Sequence, residues 1–194
     1  HITHQKFKEH NMKTILQKLL ITLLAVGSFS LASADEMFIF QTAEVKIDNN
    51  KGTLYIGTPV NVIKNVDDKN VLVEFSGIAF DDKLFTNKDK SLLMASVEKS
   101  TLGAKGEAKK VQAVIEKGYL TKVPSEVWEE HEEFFYETCT QCHAAHQPTE
   151  HSMLEWDAIL QTMSGFAQLY PDESEYLSRY LKANANNGFY PEKK

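Results

Sequence analysis

The two cysteines of this chain stand three positions apart and are followed at once by a histidine, in the run Cys139-Thr140-Gln141-Cys142-His143. This C-x-x-C-H spacing is typical of covalent haem attachment, because each thiol can add to one vinyl group of the porphyrin. The histidine is then delivered to the iron as proximal ligand. A chain that carries such a motif has to fold around a large, flat cofactor. We predict one covalent haem c per chain, bound by Cys139, Cys142 and His143.

Three other uses of these residues are open. A redox pair of the thioredoxin type has the same thiols, but it usually follows a strand in a βαβ unit, and no such pattern is nearby. A disulfide between Cys139 and Cys142 would close a very small loop and add little stability. A zinc site could take Cys139, Cys142, His143 and His146, although adjacent ligands at positions 142 and 143 would strain a tetrahedron.

The sixth position of the iron has several candidates in the second half of the chain. They are His131, His146, His151, Met153 and Met163. His146 follows the proximal ligand by three residues, which favours the same side of the haem plane. Met163 closes an apolar helix face, whereas His151 and Met153 lie at a polar stretch that could fold over the haem edge. An open or water-bound iron is the remaining alternative.

Residues 12–34 have the layout of a secretory signal, with Lys13 and Lys18 before an apolar core and a small-residue site at residues 32–34. We predict that residues 1–34, an upstream extension and signal peptide, are cleaved and that the mature protein is periplasmic. The apolar core is too short for a confident membrane span. No stable membrane span is expected in the mature chain.

The mature chain is acidic. Residues 1–34 hold four of the 21 basic residues and one of the 27 acidic residues, which leaves 17 and 26 and a net charge near −9. This disfavours a nucleic-acid partner, since binding a phosphate backbone needs a basic surface. It favours a protein partner with a basic docking face. One acidic run either guides such docking or is a solvated helix face: Glu126, Glu129, Glu130, Glu132, Glu133 and Glu137.

Residues 35–103 are predicted to form a small antiparallel β-barrel, because short apolar segments alternate there with turn signals. Val71, Val73 and Phe75 recur with the period of a strand that has one buried face. Residues 52–62 resemble bacterial Src-homology-3-like domains. Residues 104–123, with a helical candidate at 107–116, are predicted to be a connector.

From residue 124 the period becomes helical. A helix that starts at Pro124 and Ser125 runs into the haem motif, and a second, at residues 154–163, places Trp156 and Met163 on one face. A third begins near Asp172 and ends near residues 187–188. We therefore predict an α+β chain of two domains, in which residues 124–194 form an all-α monohaem cytochrome c domain.

Residues 124–188 resemble the class I cytochrome c fold, in which the first and last helices cross. More narrowly, the haem motif followed by residues 156–163 resembles the monohaem C-terminal domain of pentahaem cytochromes that serve trimethylamine-N-oxide reductases. The resemblance implies Met163 as distal iron ligand. It also implies an electron carrier, not an enzyme, between a quinol-oxidising donor and a periplasmic S- or N-oxide reductase. The single C-x-x-C-H argues against direct oxidation of membrane quinol.

Two other functions are weighed. A haem-based sensor or small-ligand-binding protein would need an open sixth position, with the barrel as its output module. A peroxidase-like enzyme is less well supported, because no distal acid–base pair is obvious. Arg179 could pair with a haem propionate or be an ordinary surface charge.

Covalent attachment predicts that the intact mass exceeds that of the mature polypeptide by one haem, and that acid–acetone extraction leaves the haem bound. Cys142→Ala should leave at most one thioether bond and sharply reduce holoprotein yield. Mass spectrometry before and after extraction measures both, and release of the haem from the unmutated protein would exclude covalent attachment.

Overall fold

The first hairpin of the sheet shows how local residue types set a tight turn. In the computed structural model, which describes residues 35–190, strands β2 (Ala43–Ile47) and β3 (Asn50–Leu54) are joined by Asp48 and Asn49. Both residues have positive φ, 45° and 68°. A two-residue type I′ turn requires this conformation, and Asp and Asn tolerate it better than most side chains. The predicted signal peptide and upstream extension lie outside the described residues.

Seven further strands complete the sheet. They are β1 (Asp35–Ile39), β4 (Pro59–Asn65), β5 (Asn70–Asp81), β6 (Lys83–Phe85), β7 (Leu93–Val97), β8 (Gly103–Glu116) and β9 (Leu120–Thr121). The order across the sheet is β6-β7-β3-β2-β8-β5-β4-β1-β9, and neighbouring strands pair antiparallel.

Strand β5 closes part of this sheet into a barrel. Its first half pairs with β4 through residues 71–74, and its second half pairs with β6 through residues 78–80. Its other edge pairs with β8 along almost its whole length. The pairing of β5 with β6 joins six strands into a ring, and β4, β1 and β9 extend the sheet beyond it. A closed ring leaves few free strand edges.

The barrel is filled by residues at alternate positions of its strands. Val71, Val73 and Phe75 of β5 are buried, as the sequence predicted, and so are Val111 and Ile115 of β8. Alternation of buried and exposed positions is what a strand with one face toward a core produces. The buried side chains of all six barrel strands belong to one apolar cluster.

Three helices follow the sheet: α1 (Pro124–Cys139), α2 (Met153–Phe166) and α3 (Pro171–Ala183). Helices α1 and α3 begin with proline, whose fixed φ suits the first helical position. Helix α2 begins with a capping box. The Ser152 hydroxyl accepts the backbone N–H of Glu155, and the Glu155 carboxylate accepts the backbone N–H of Ser152. In the described part of the chain no helix is long and apolar enough to cross a membrane.

The helices and the sheet share a second apolar cluster. Phe38 of β1 and Leu92 pack in it together with Trp128 of α1 and Leu177 of α3. The indole Nε1 of Trp128 donates to the hydroxyl of Tyr190 at 3.2 Å. That hydroxyl donates in turn to the carbonyl of Gly57, at the end of the barrel, at 2.9 Å.

Arg179 joins α3 to the barrel. Its Nε and Nη2 donate to the carbonyl of Ile56 at 3.0 and 2.6 Å, and its Nη1 donates to the carbonyl of Leu93 at 2.6 Å. Burial lowers the pKa of Arg179 to about 10, so the guanidinium is still charged at neutral pH. A buried charge is tolerated where its donors are hydrogen-bonded. The sequence left Arg179 open as a surface charge or a propionate partner. In the structure it instead links α3 to the barrel through three hydrogen bonds, and we call this contact the Arg179 clamp.

The predicted fold class is wrong. Over residues 35–190 the structure is a six-stranded antiparallel barrel with additional strands and three helices, and no all-α cytochrome domain is evident there. These described residues all belong to one compact unit. The physical reason is that the helices bury their apolar faces partly against Phe38 of β1 and against Leu92, which directly precedes β7, in one common cluster.

The helix predicted at residues 107–116 is also wrong. These residues belong to β8, the longest strand, which pairs with β5 from residue 70 to residue 81 and with β2 at residues 46 and 47. Alanine, lysine and glutamate give this stretch a helical composition, but pairing on both edges decides its conformation. The stretch expected as a connector thus contains a central strand of the barrel.

Substitutions at two glycines of positive φ distinguish the energetic cost of backbone strain from that of a steric clash. A Cβ on Gly57 (φ 83°) would collide with the Trp128 ring, whereas one on Gly106 (φ 78°) would meet nothing within 4 Å. We expect Gly106→Ala to lower the free energy of unfolding by about 1 kcal/mol and Gly57→Ala by about 2 to 4 kcal/mol. Urea denaturation measures both, and equal losses would contradict the packing of Trp128 against the barrel.

Candidate functional site

The haem motif begins at the end of a helix. Cys139 is the last residue of α1. The Thr140 hydroxyl donates to the carbonyl of Tyr136 at 2.6 Å, and the Gln141 side-chain amide donates to the carbonyl of Glu137 at 3.0 Å. The Tyr136 carbonyl also accepts the backbone N–H of Thr140 at 3.1 Å, and the bond from Gln141 gives a side-chain donor to a carbonyl of the last helical turn. These bonds hold the motif in a turn that directly continues α1.

The two thiols differ in exposure. Cys139 is half-buried, Cys142 is exposed, and both are free. Burial raises the pKa of the Cys139 thiol above its ordinary value. Redox-active pairs depend on a thiol whose pKa is lowered. The environment of Cys139 therefore disfavours the redox-pair alternative.

His143 has one ring nitrogen engaged and one free for a ligand. Its Nδ1 lies 2.8 Å from the carbonyl oxygen of Ala144. Because a carbonyl only accepts, Nδ1 carries the proton, and Nε2 of the neutral ring keeps its lone pair. Metal-ligating histidines typically have this arrangement, with the second nitrogen bonded to a backbone carbonyl or a carboxylate. His143 is thus oriented to offer Nε2 to a metal.

A cavity of about 400 Å³ adjoins the motif, and Cys139, Cys142 and His143 are part of its wall. The rest of the wall is mostly apolar: Phe135, Ala145, Trp156, Ile159, Leu160, Met163, Phe166, Ala167 and Leu181. Pockets for cofactors and other small molecules commonly measure about 300 to 1,000 Å³ and have such linings. Two thiols and an imidazole at the edge of an apolar cavity suit a haem that is covalently bound.

Helix α2 places Met163 in the same wall. Trp156 is buried, Met163 is half-buried, and their spacing of seven residues puts both on one face of the helix. The indole Nε1 of Trp156 donates to the carbonyl of Pro148 at 2.8 Å. This bond ties the loop that follows the motif to α2. The thioether and the two thiols therefore meet at one cavity, although 21 residues separate Cys142 from Met163.

Three of the other distal candidates are not in the cavity wall. His131 is buried and stacks on Tyr176 with ring centroids 3.6 Å apart. Burial, aided by the charge of Arg179, lowers the pKa of His131 to about 4, so the ring is neutral at neutral pH. Met153 is buried, and its sulfur accepts the Thr86 hydroxyl at 3.9 Å. His151 is likewise absent from the wall.

His146 does line the cavity, but its Nδ1 lies 2.7 Å from a carboxylate oxygen of Glu150. Within the described residues, the group of potential metal ligands that comes together is His146, Glu150 and His151. It does not include Cys139 or Cys142. The four-ligand zinc site considered from sequence is therefore not assembled in this structure.

Sequence reasoning did not assign several wall residues to the site. Leu181 has only the apolar character of an ordinary core position, and Gln168 has no pattern that indicates a binding site. Gln168 follows α2 in a left-handed turn (φ 54°), for which glutamine gives no residue-type signal. The pairing of His146 with Glu150 was also missed, although the spacing of four residues around Pro148 is a local signal.

Comparison of the chain with protein-family models, with curated proteins and with solved structures gave no match. The site is therefore interpreted from its own residues.

If Met163 is the distal iron ligand, the ferric protein should show the weak near-infrared sulfur-to-iron band that such ligation produces. Met163→Ala should abolish the band and open the ferrous iron to carbon monoxide. Met153→Ala is the matched control, because Met153 lies outside the cavity wall, and it should keep the band. A low-spin spectrum without the band, in which His151→Ala opens the iron, would assign the ligand to His151 instead.

Proposed function

We propose that this chain is a monohaem c-type cytochrome that relays single electrons in the periplasm, from a quinol-oxidising donor to a terminal reductase such as an S- or N-oxide reductase. The observation that supports this most is the common cavity of Cys139, Cys142, His143 and Met163. A bound haem would supply reversible one-electron chemistry at its iron. The protein would be a carrier without catalytic residues of its own.

Each residue of the site has a distinct part in this proposal. Cys139 and Cys142 hold the porphyrin, and His143 offers a nitrogen whose orientation is set by the carbonyl of Ala144. Met163 would supply its thioether as a second iron ligand. A thioether ligand gives a higher reduction potential than a second imidazole. With His143 and Met163 both as ligands, the haem would exchange single electrons without binding a substrate.

The inner part of the cavity wall is shielded from water, whereas Cys142 and His143 lie at its exposed edge. Trp156, Leu160 and Leu181 are buried, and Phe166 is 77% exposed at the edge of the cavity. An apolar surround lowers the local dielectric and limits solvent access, both of which tune a redox centre. The exposed Phe166 also offers an apolar contact for a partner beside the cofactor.

Charge is divided unevenly along the chain. Residues 35–123 contain 13 basic and 13 acidic residues, whereas residues 124–190 contain two basic and 12 acidic residues. Arg179 is clamped against the barrel, and Lys182 is paired with Asp157 at 2.9 Å and only 13% exposed. The exposed charges of the haem-motif half are therefore almost all negative. This supports docking of a partner with a basic surface at that half.

The periplasmic location rests on the signal-like residues 12–34, which lie outside the described part of the chain. Covalent haem attachment is consistent with export. The particular donor and acceptor come from the resemblance of the motif and residues 156–163 to the monohaem domains that serve trimethylamine-N-oxide reductases.

The rates of electron transfer with small charged reagents test whether the protein carries electrons and whether its negative charge attracts a positively charged partner. Stopped-flow mixing with cationic hexaammineruthenium and with anionic ferrocyanide or ferricyanide should show faster reaction with the cation at low salt, and the difference should shrink as salt is raised. The double variant Glu133→Gln/Glu137→Gln should slow the cationic reaction about two- to fivefold at low salt.

The matched control is Glu36→Gln/Glu116→Gln, which removes the same charge from strands β1 and β8 and should change the rate little. Equal effects of the two double variants would exclude a docking face at the haem-motif half. Ready binding of carbon monoxide by the unmutated ferrous protein would contradict the carrier function and favour a sensor.

A further inference from the structure

A second cluster of ligand-type side chains lies in the loop after the haem motif. His146, Glu150 and His151 surround a short 3-10 turn at Pro148–Glu150. Each offers one potential metal-ligand atom, and these atoms all lie within 4.8 Å of one another. Two imidazoles and one carboxylate form a donor set that proteins use for zinc, with a water in the fourth position.

The backbone around this cluster is fixed at both ends. Gln147 and Glu150 form a capping box across the turn, in which the Gln147 N–H donates to Glu150 Oε1 at 3.2 Å. The carbonyl of Pro148 accepts the Trp156 indole, and the carbonyl of His151 accepts the backbone N–H of Asn186 at 3.0 Å. A rigid backbone reduces the entropy lost when side chains close on an ion.

One ring nitrogen of the cluster has no hydrogen-bond partner among the described residues. Nδ1 of His146 is engaged by Glu150 at 2.7 Å. Nε2 of His151 is buried and has no hydrogen-bond partner among residues 35–190, although the ring packs edge-on against Trp156 with centroids 4.9 Å apart. Buried polar atoms without a partner are uncommon, and a bound ion is one of the ways in which they are satisfied.

We propose that His146, Glu150 and His151 bind one divalent transition-metal ion of the zinc type, independently of the haem motif. Neighbouring ligands of tetrahedral zinc stand about 3.3 Å apart, given metal–ligand distances near 2.0 Å. The three side chains therefore have to close by only about 1 to 1.5 Å. Glu150 and His151 are outside the wall of the haem-motif cavity, and His143 is not a member of the cluster.

Metal binding has a structural consequence for the neighbouring site. His146 belongs to the cavity wall, whereas His151 is tethered to the segment after α3 through Asn186. An ion held by both histidines cross-links this loop and restrains one wall of the cavity. A ligand that binds only the folded state raises its stability in proportion to the logarithm of its concentration.

The test uses the tag-free mature protein, with its haem content fixed by mass spectrometry and trace metals removed by a chelator. Zinc chloride is titrated by calorimetry, and equilibrium dialysis with elemental analysis gives the stoichiometry. We expect one zinc per chain, a micromolar dissociation constant and a zinc-dependent rise in Tm. His146→Gln, Glu150→Gln and His151→Gln should each weaken binding at least about tenfold.

Glu129→Gln, an exposed carboxylate of α1, is the matched control and should bind zinc like the unmutated protein. The haem absorption spectrum of His151→Gln should be unchanged, which separates this proposal from the assignment of the iron ligand. Absence of saturable binding would reduce the cluster to a surface His146–Glu150 pair. The proposal would also be overturned if the three variants bound zinc as tightly as the unmutated protein does. A shift of the haem spectrum in His151→Gln would overturn it too.

Discussion

The clamp of Arg179 on the barrel is the interaction on which the geometry of the site depends. Its guanidinium donates to the carbonyls of Ile56 and Leu93, and this fixes α3 over the end of the barrel. Helices α1 and α2 pack against α3, so the ends that carry Cys139 and Met163 are positioned by it. Displacing this half-buried guanidinium would break three hydrogen bonds at once, and a polar group that loses its partner away from water costs more than the bond contributes.

Trp128, Tyr180 and Phe135 form an aromatic layer that connects α1 to α3. Trp128 contacts the ring of Tyr180 with centroids 6.0 Å apart, and Tyr180 contacts Phe135, which reaches the cavity wall, at 5.8 Å. Burial raises the pKa of Tyr180, so its hydroxyl stays neutral. His131 is neutral in the same layer for the same reason. The layer therefore provides an uncharged aromatic support behind the mostly apolar cavity.

Much of the local structure could be predicted from sequence, and the arrangement of the elements could not. The helix that starts at Pro124 and the strand around Val71 and Phe75 have clear periodic signals, and both exist. Strand β8 has such a signal only in its second half, where Val111 and Ile115 alternate with exposed residues. Its first half is exposed and helix-like in composition, and pairing with distant β5 overrides that composition. The prediction of a separate all-α domain fails for a related reason, since β8 completes the barrel and the helices share their core with β1.

The sequence by itself determined the motif of Cys139, Cys142 and His143, because three residues within five positions need no distant contact to act together. It also determined the apolar face of α2, since a helical period is local. Only the tertiary structure decided which distal candidate meets the motif. Met163 and His146 reach the cavity while His131, His151 and Met153 do not, because α2 and the loop before it are fixed by contacts with Pro148, Asn186 and α3. Such long-range contacts depend on the packing of whole elements, which residue spacing along the chain does not encode.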